Sequence, residues 1–118
     1  MKELSVQDLH NLAMNIVGED LKSKGFEFLS INSQLKKNPQ FVALKNKKIH
    51  FIVVRAVKFP DDPKDYDSIL LETIKQHALK FKAKVFYAGV GLANSKDYKA
   101  PLYKDEPYIV NYAGIQEV

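Results

Sequence analysis

The run Ile49-His50-Phe51-Ile52-Val53-Val54-Arg55-Ala56-Val57 constrains this chain more than any other segment. It has strand length and is rich in β-branched and aromatic residues. It is also apolar almost throughout, not only at alternate positions. A strand that alternates can leave one face in water, whereas a strand apolar on both faces is central and covered from both sides. Covering both faces requires helices, and the sequence supplies one before this run and one after it.

In the first helix, Ser5 stands at the N-cap and Asp8 completes a capping box three residues on. Val6, Leu9, Leu12, Ala13, Ile16, Val17 and Leu21 recur at helical spacing and define its buried face. His10 falls just off this stripe and is expected in solvent. Lys22 and Lys24 suit the C-terminal end, and Gly25 suits the left-handed position that closes it. Residues 26–32 read as a first strand, 33–39 as a polar loop and 40–45 as a second strand. Asn46-Lys47-Lys48 is a turn, so the second and third strands form a hairpin. A second helix is predicted over about 65–81, turning Tyr66, Ile69, Leu70, Ile74, Ala78 and Phe81 inward. Residues 84–92 are a fourth strand, 94–107 a long loop, and 108–112 a fifth strand extending towards Val118.

Two helices on a five-stranded sheet form an α/β sandwich, and 118 residues make a single domain spanning 1–118. The second helix joins the third strand to the fourth as a crossover. That predicts parallel neighbours and a right-handed connection.

The chain has no cysteine, which excludes a disulfide framework, a thiolate zinc site, an iron–sulfur cluster and a cysteine nucleophile. His10, His50 and His77 are too far apart to share a helix face, so no metal site is expected. No apolar run approaches the roughly 20 residues of a membrane span, and the N-terminus lacks a signal-peptide core. The expectation is a cytoplasmic protein with no membrane contact; its oligomeric state is open.

Net charge is +4, unevenly spread. Nine basic residues face one acid between Lys22 and Lys58, while five acids face one lysine between Asp61 and Glu72. A basic half of this kind suits an anionic partner, either nucleic acid or an acidic protein. Lys36, Lys37, Lys45, Lys47 and Lys48 flank the hairpin and are the candidate anion-binding residues. Arg55 is the only arginine, which argues against sequence-specific base reading but leaves phosphate neutralisation to the lysines.

The element order, with Gly18-Glu19-Asp20-Leu21, Gly25-Phe26-Glu27-Phe28-Leu29, Asn32, Phe41-Val42-Ala43 and Phe51-Ile52-Val53-Val54-Arg55, resembles the restriction-endonuclease-like, PD-(D/E)XK, nucleases. The resemblance implies an αβββαβ(β) core, a mixed five-stranded sheet flanked by two helices. In that fold two carboxylates hold Mg²⁺ and a lysine assists the attacking water, since a hard cation wants oxygen ligands. The family's F-V-E-V-K pattern falls on residues 51–55, which replaces the glutamate by Val53 and the lysine by Arg55. The metal-binding aspartate falls on Gln40. The resemblance therefore implies a nuclease scaffold without its carboxylates and with no metal or cofactor. On this reading Arg55 shares a face with Phe51 and Val53 that meets the first helix. Glu19 is then its expected ion-pair partner at the degenerate nuclease position.

The chain also resembles short bacterial proteins named as the F subunit of the sodium-translocating NADH–quinone reductase. That name implies an iron–sulfur cluster and FAD. The chain has no cysteine for the first and no G-x-G-x-x-G for the second; Gly89-Val90-Gly91-Leu92-Ala93-Asn94 carries only two of the glycines and runs into a loop. The functional expectation is a non-catalytic nuclease-fold module that binds an anionic partner through a basic hairpin side. The alternatives are a metal-dependent nuclease with displaced ligands and a redox accessory protein. Smaller features read as structural: His77 as a half-buried packing residue, His50 as a capped edge residue, Asp61-Asp62 as a solvated loop. Tyr98 and Tyr103 read as pins for the long loop, with base stacking as the competing role.

Overall fold

The computed structural model describes residues 2–35 and 37–118. Lys36, one of the five candidate lysines, lies outside the described residues. Along the chain run α1 (Val6–Ser23), β1 (Glu27–Ile31), β2 (Phe41–Lys45), β3 (Lys48–Lys58), α2 (Ser68–Leu79), β4 (Lys84–Asn94), β5 (Tyr108–Asn111) and β6 (Gln116–Glu117).

The sheet is mixed and six-stranded, one strand more than expected. Its order is β1-β2-β3-β4-β5. Pairing is antiparallel from β1 to β3 and parallel between β3 and β4; β5 is antiparallel to β4. The extra strand is the expected extension of the fifth. After a break at 112–115 the chain returns to β4 and pairs Glu117 with Phe86.

α1 begins as its sequence dictates. The Ser5 hydroxyl accepts the Asp8 N–H at 3.0 Å and the Asp8 carboxylate accepts the Ser5 N–H at 2.9 Å. It ends in a Schellman turn, with Phe26 N–H donating to Leu21 O and Gly25 N–H to Lys22 O. Gly25 sits there at φ 85°, which a side chain would resist. α2 is shorter than predicted. It starts at Ser68 because Asp67 caps it, the carboxylate accepting the N–H groups of Ile69 and Leu70.

The two helices cover opposite faces. Leu9, Ala13, Met14, Val17 and Leu21 of α1 pack on Phe41, Ala43, Ile52, Val54, Ala88, Val90 and Leu92. Leu71, Ile74 and Ala78 of α2 pack on Phe51, Val53, Val85 and Tyr87. β3 thus lends Ile52 and Val54 to one layer and Phe51 and Val53 to the other, as an all-apolar strand must.

Several expectations need correction. His10 is buried at 2% exposure, not solvated. It lies in register with Ala13, Met14, Val17 and Leu21, so the buried stripe of α1 is rotated towards it. Val6, 67% exposed, is outside that stripe. Ile69 is exposed on α2 and Phe81 beyond its end; the inward face is Leu71, Ile74 and Ala78, at i, i+3 and i+7, with Leu70 at its margin. His50 is a packing residue, its ring stacked on Phe86 and edge-on to Phe26. His77 is exposed, although its ring still meets Phe51 and Phe81.

Candidate functional site

β2 is shorter than the strand it pairs with. Its outermost partner on β3 is Ile52, paired with Phe41, and the Gln40 N–H donates to Ile52 O at 3.1 Å just before the chain enters β2. Alternate peptides of β3 face that side, so Val54 and Ala56 meet no strand there. Side chains take the strand's place. Gln40 Oε1 accepts the Val54 N–H at 2.8 Å, and Arg55 Nη1 donates to Val54 O at 2.8 Å. Gln40 Nε2 and Arg55 Nη2 both donate to Asn38 Oδ1, at 2.9 and 3.0 Å.

Two of the four positions marked by the nuclease resemblance, Gln40 and Arg55, are therefore brought together through Asn38. The other two are not. Val53 is fully buried in the apolar layer beneath α2. Glu19 is exposed on the far half of α1 and makes no ion pair with Arg55. The expected pairing fails for a geometric reason. Phe51 and Val53, which share Arg55's face of the strand, pack against α2, whereas Ile52 and Val54 meet α1. The carboxylate beside Glu19, Asp20, is taken by the Tyr112 hydroxyl at 2.7 Å and by Lys24 at 3.1 Å.

Among the described residues Arg55 has no carboxylate partner; the ion pairs are Lys24–Asp20, Lys75–Glu72 and Lys96–Glu106. The guanidinium is half-buried. Burial pushes its pKa below the ordinary value, opposed by Tyr87 and Asp67, yet an arginine stays charged. Burial also pushes the Tyr87 phenol up, with Arg55 pulling the other way.

Arg55 lines two cavities. One, of about 250 Å³, lies under α2 with Asp65, Tyr66, Asp67 and Tyr87. The other, of about 440 Å³, opens between α1 and the free edge of β3 and is lined by His10, Ala56, Lys58 and Asp61. His10 was missed by sequence reasoning, as were Asn38 and Lys58. The signal for His10 was its own spacing, three, four and seven residues before Ala13, Met14 and Val17.

The four described candidate lysines do not form one patch. Lys47 and Lys48 are exposed at the turn, where Asn46 and Lys47 both adopt positive φ. Lys45 is half-buried with its ammonium 5.0 Å from the Phe26 ring centre. Lys37 is exposed at the opposite end of the hairpin, beside Asn38, and its carbonyl accepts from Gln40 Nε2.

The residues at these positions do not fit Mg²⁺. The Gln40 oxygen is committed to Val54, Val53 is aliphatic, and Arg55 is a cation. Among the described residues no group of three or more His, Cys, Asp or Glu side chains could hold a metal ion. The glycines of Gly89-Val90-Gly91 have a packing role. A Cβ on Gly89 would stand 1.7 Å from the Pro63 carbonyl oxygen, and one on Gly91 would stand 3.1 Å from the Asn111 Cβ. They let the loop before α2 lie on β4.

Fold and site together define an α/β protein with, among the described residues, a cation outside any ion pair at the free edge of its central strand. No helix among the described residues is long and apolar enough to cross a membrane. Residues 7–118 match the model of the family described as Domain of unknown function (DUF8840), and the chain belongs to that family. No curated protein matches it.

Proposed function

We propose that this protein is a non-catalytic module on a restriction-endonuclease-like scaffold, and that it binds an anionic partner, nucleic acid above all, at the Arg55 end of the hairpin. The β1–β3 meander and the crossover through α2 to a parallel β4 support the scaffold. The observation that carries the binding role is the half-buried Arg55 guanidinium, which among the described residues has no carboxylate within ion-pair distance, the nearest acids being Asp65 and Asp67 across the cavity under α2. A cation taken partly out of water is disfavoured unless an anion compensates it. Asn38 and Val54 supply only neutral acceptors, and Lys37 and Lys58 add charge at the same end. Phe59 and Tyr98 pack edge to face at 5.5 Å, and both remain about half exposed where bases could stack.

Fluorescence anisotropy with labelled single-stranded DNA and RNA tests this reading. Affinity should fall steeply with salt, because each neutralised phosphate releases a counterion. The Arg55→Gln variant should bind at least about tenfold more weakly. Binding that is flat in salt, or unchanged in the variant, overturns the reading. With Mg²⁺ or Mn²⁺ the same oligonucleotides should stay intact; cleavage abolished by a point substitution in this chain would establish the displaced-ligand nuclease instead.

A further inference from the structure

We infer that the cavity between α1 and the free edge of β3 takes a phosphate group between Arg55 and a protonated His10, so that the anion enters together with a proton. This rests on the anion-binding reading and adds its ligand chemistry and its regulation.

His10 is the second observation at this site. It is 2% exposed, it lines the cavity, and its Nε2 is a buried side-chain atom with no hydrogen-bond partner among the described residues. Buried polar atoms in native proteins are almost always paired, and an orphan needs a reason. A neutral imidazole offers one donor and one acceptor, while the protonated ring offers two donors. A tetrahedral oxyanion held by the free N–H groups of the guanidinium can also accept from that ring once Nε2, closed to solvent in the empty cavity, turns towards it.

The surroundings decide when this happens. Burial first, and the Arg55 charge second, hold the His10 pKa below its ordinary value of 6.5, so the empty site keeps a neutral ring. Arg55 and Lys58 of β3 are the cations on the cavity, and Asp61 of the following loop is its carboxylate. The β4 residues beneath α1 are Ala88, Val90 and Leu92, all uncharged. On α1 itself the Asp8 carboxylate is turned to Ser5. A phosphate beside Arg55 cancels the smaller of the two effects that keep His10 neutral, the Arg55 repulsion, and offsets the larger one, burial, with its own negative charge. Protonation and anion binding then reinforce each other by linkage. Asp61 opposes the anion and sets its affinity.

A free phosphate and the phosphodiester of a nucleic acid share this chemistry, and two probes separate them. The histidine ring protons are followed by NMR against pH in the full chain, alone, with sulfate, and with a short oligothymidylate. Sulfate itself takes up no proton in this range. One histidine, absent from the His10→Asn spectrum, should titrate low without anion and move up by about one pH unit or more with it. A shift with sulfate and with the oligonucleotide assigns the site to a nucleic acid backbone; a shift with sulfate alone assigns it to a free oxyanion. Asp61→Asn should tighten sulfate binding several-fold. An anion that binds while His10 does not move overturns this inference and leaves the anion-binding reading standing. If neither probe binds, both fall.

Discussion

Gln40 Oε1 accepts the backbone N–H of Val54 at 2.8 Å, two residues past the point where β2 stops pairing with β3. A side-chain amide thus does what a strand does elsewhere in the sheet. Both residues are fully buried, so the Val54 N–H has no water to turn to. Gln40→Leu, close in size, should destabilise the protein by about 2–3 kcal/mol in urea unfolding, because it orphans a buried donor. A loss under about 0.5 kcal/mol would mean that water reaches the strand edge.

Arg55→Met should change stability by less than about 1 kcal/mol, since removing a half-buried unpaired charge offsets the loss of two hydrogen bonds to neutral acceptors. The same variant should lose anion binding. Stability retained with binding lost is the pattern of a site kept for its ligand. A loss near 3 kcal/mol would point to a buried ion pair at Arg55 and remove the argument for a ligand.

Folding stability should fall as the pH drops through the ordinary imidazole value of 6.5, because burial lowers the His10 pKa in the folded state. The unfolded chain then binds the proton first, so stability is full above that value and declines below it until the folded ring also titrates. Asp8, lowered by its hydrogen bonds to Ser5, acts in a separate window, below its ordinary value of 3.8. Denaturation midpoints across pH should show the histidine slope in the wild-type protein and a flatter one in His10→Asn. Added sulfate should reduce the slope by favouring the charged ring.

Gly89→Ala should be among the most damaging single substitutions in the chain, costing about 3 kcal/mol or more in thermal or urea unfolding. The atom it adds would meet the Pro63 carbonyl oxygen, and Pro63 is buried and cannot swing away without lifting the loop that leads into α2. Gly91→Ala meets only moderate crowding from Asn111 and Pro63 and should cost less. Equal and small effects would show that the loop yields.

Local chemistry was legible in the sequence. Ser5 and Asp8 build the capping box because a hydroxyl and a carboxylate at that spacing can reach the free amides of the first turn. Gly25 closes α1 because it alone carries no Cβ at positive φ. The apolar run at 49–57 is the central strand because Phe51, Ile52, Val53 and Val54 are apolar on both faces and all buried. The α/β class, the hairpin and the parallel crossover follow from those elements and the lengths between them. The site was only half legible. Gln40 and Arg55 were marked by their positions, but the partner of Arg55 was not, because period two says which residues share a face and not which helix covers it. Glu19 and His10 sit on one helix, nine positions apart, and only the seating of α1 on the sheet decided that His10 is the one buried at Arg55's cavity. The end of β2 before Val54 was likewise settled in three dimensions. It left an edge that Gln40 had to fill and that Arg55 also reaches, since a buried N–H must find a partner wherever the strands run out, whereas a carbonyl tolerates a missing one better.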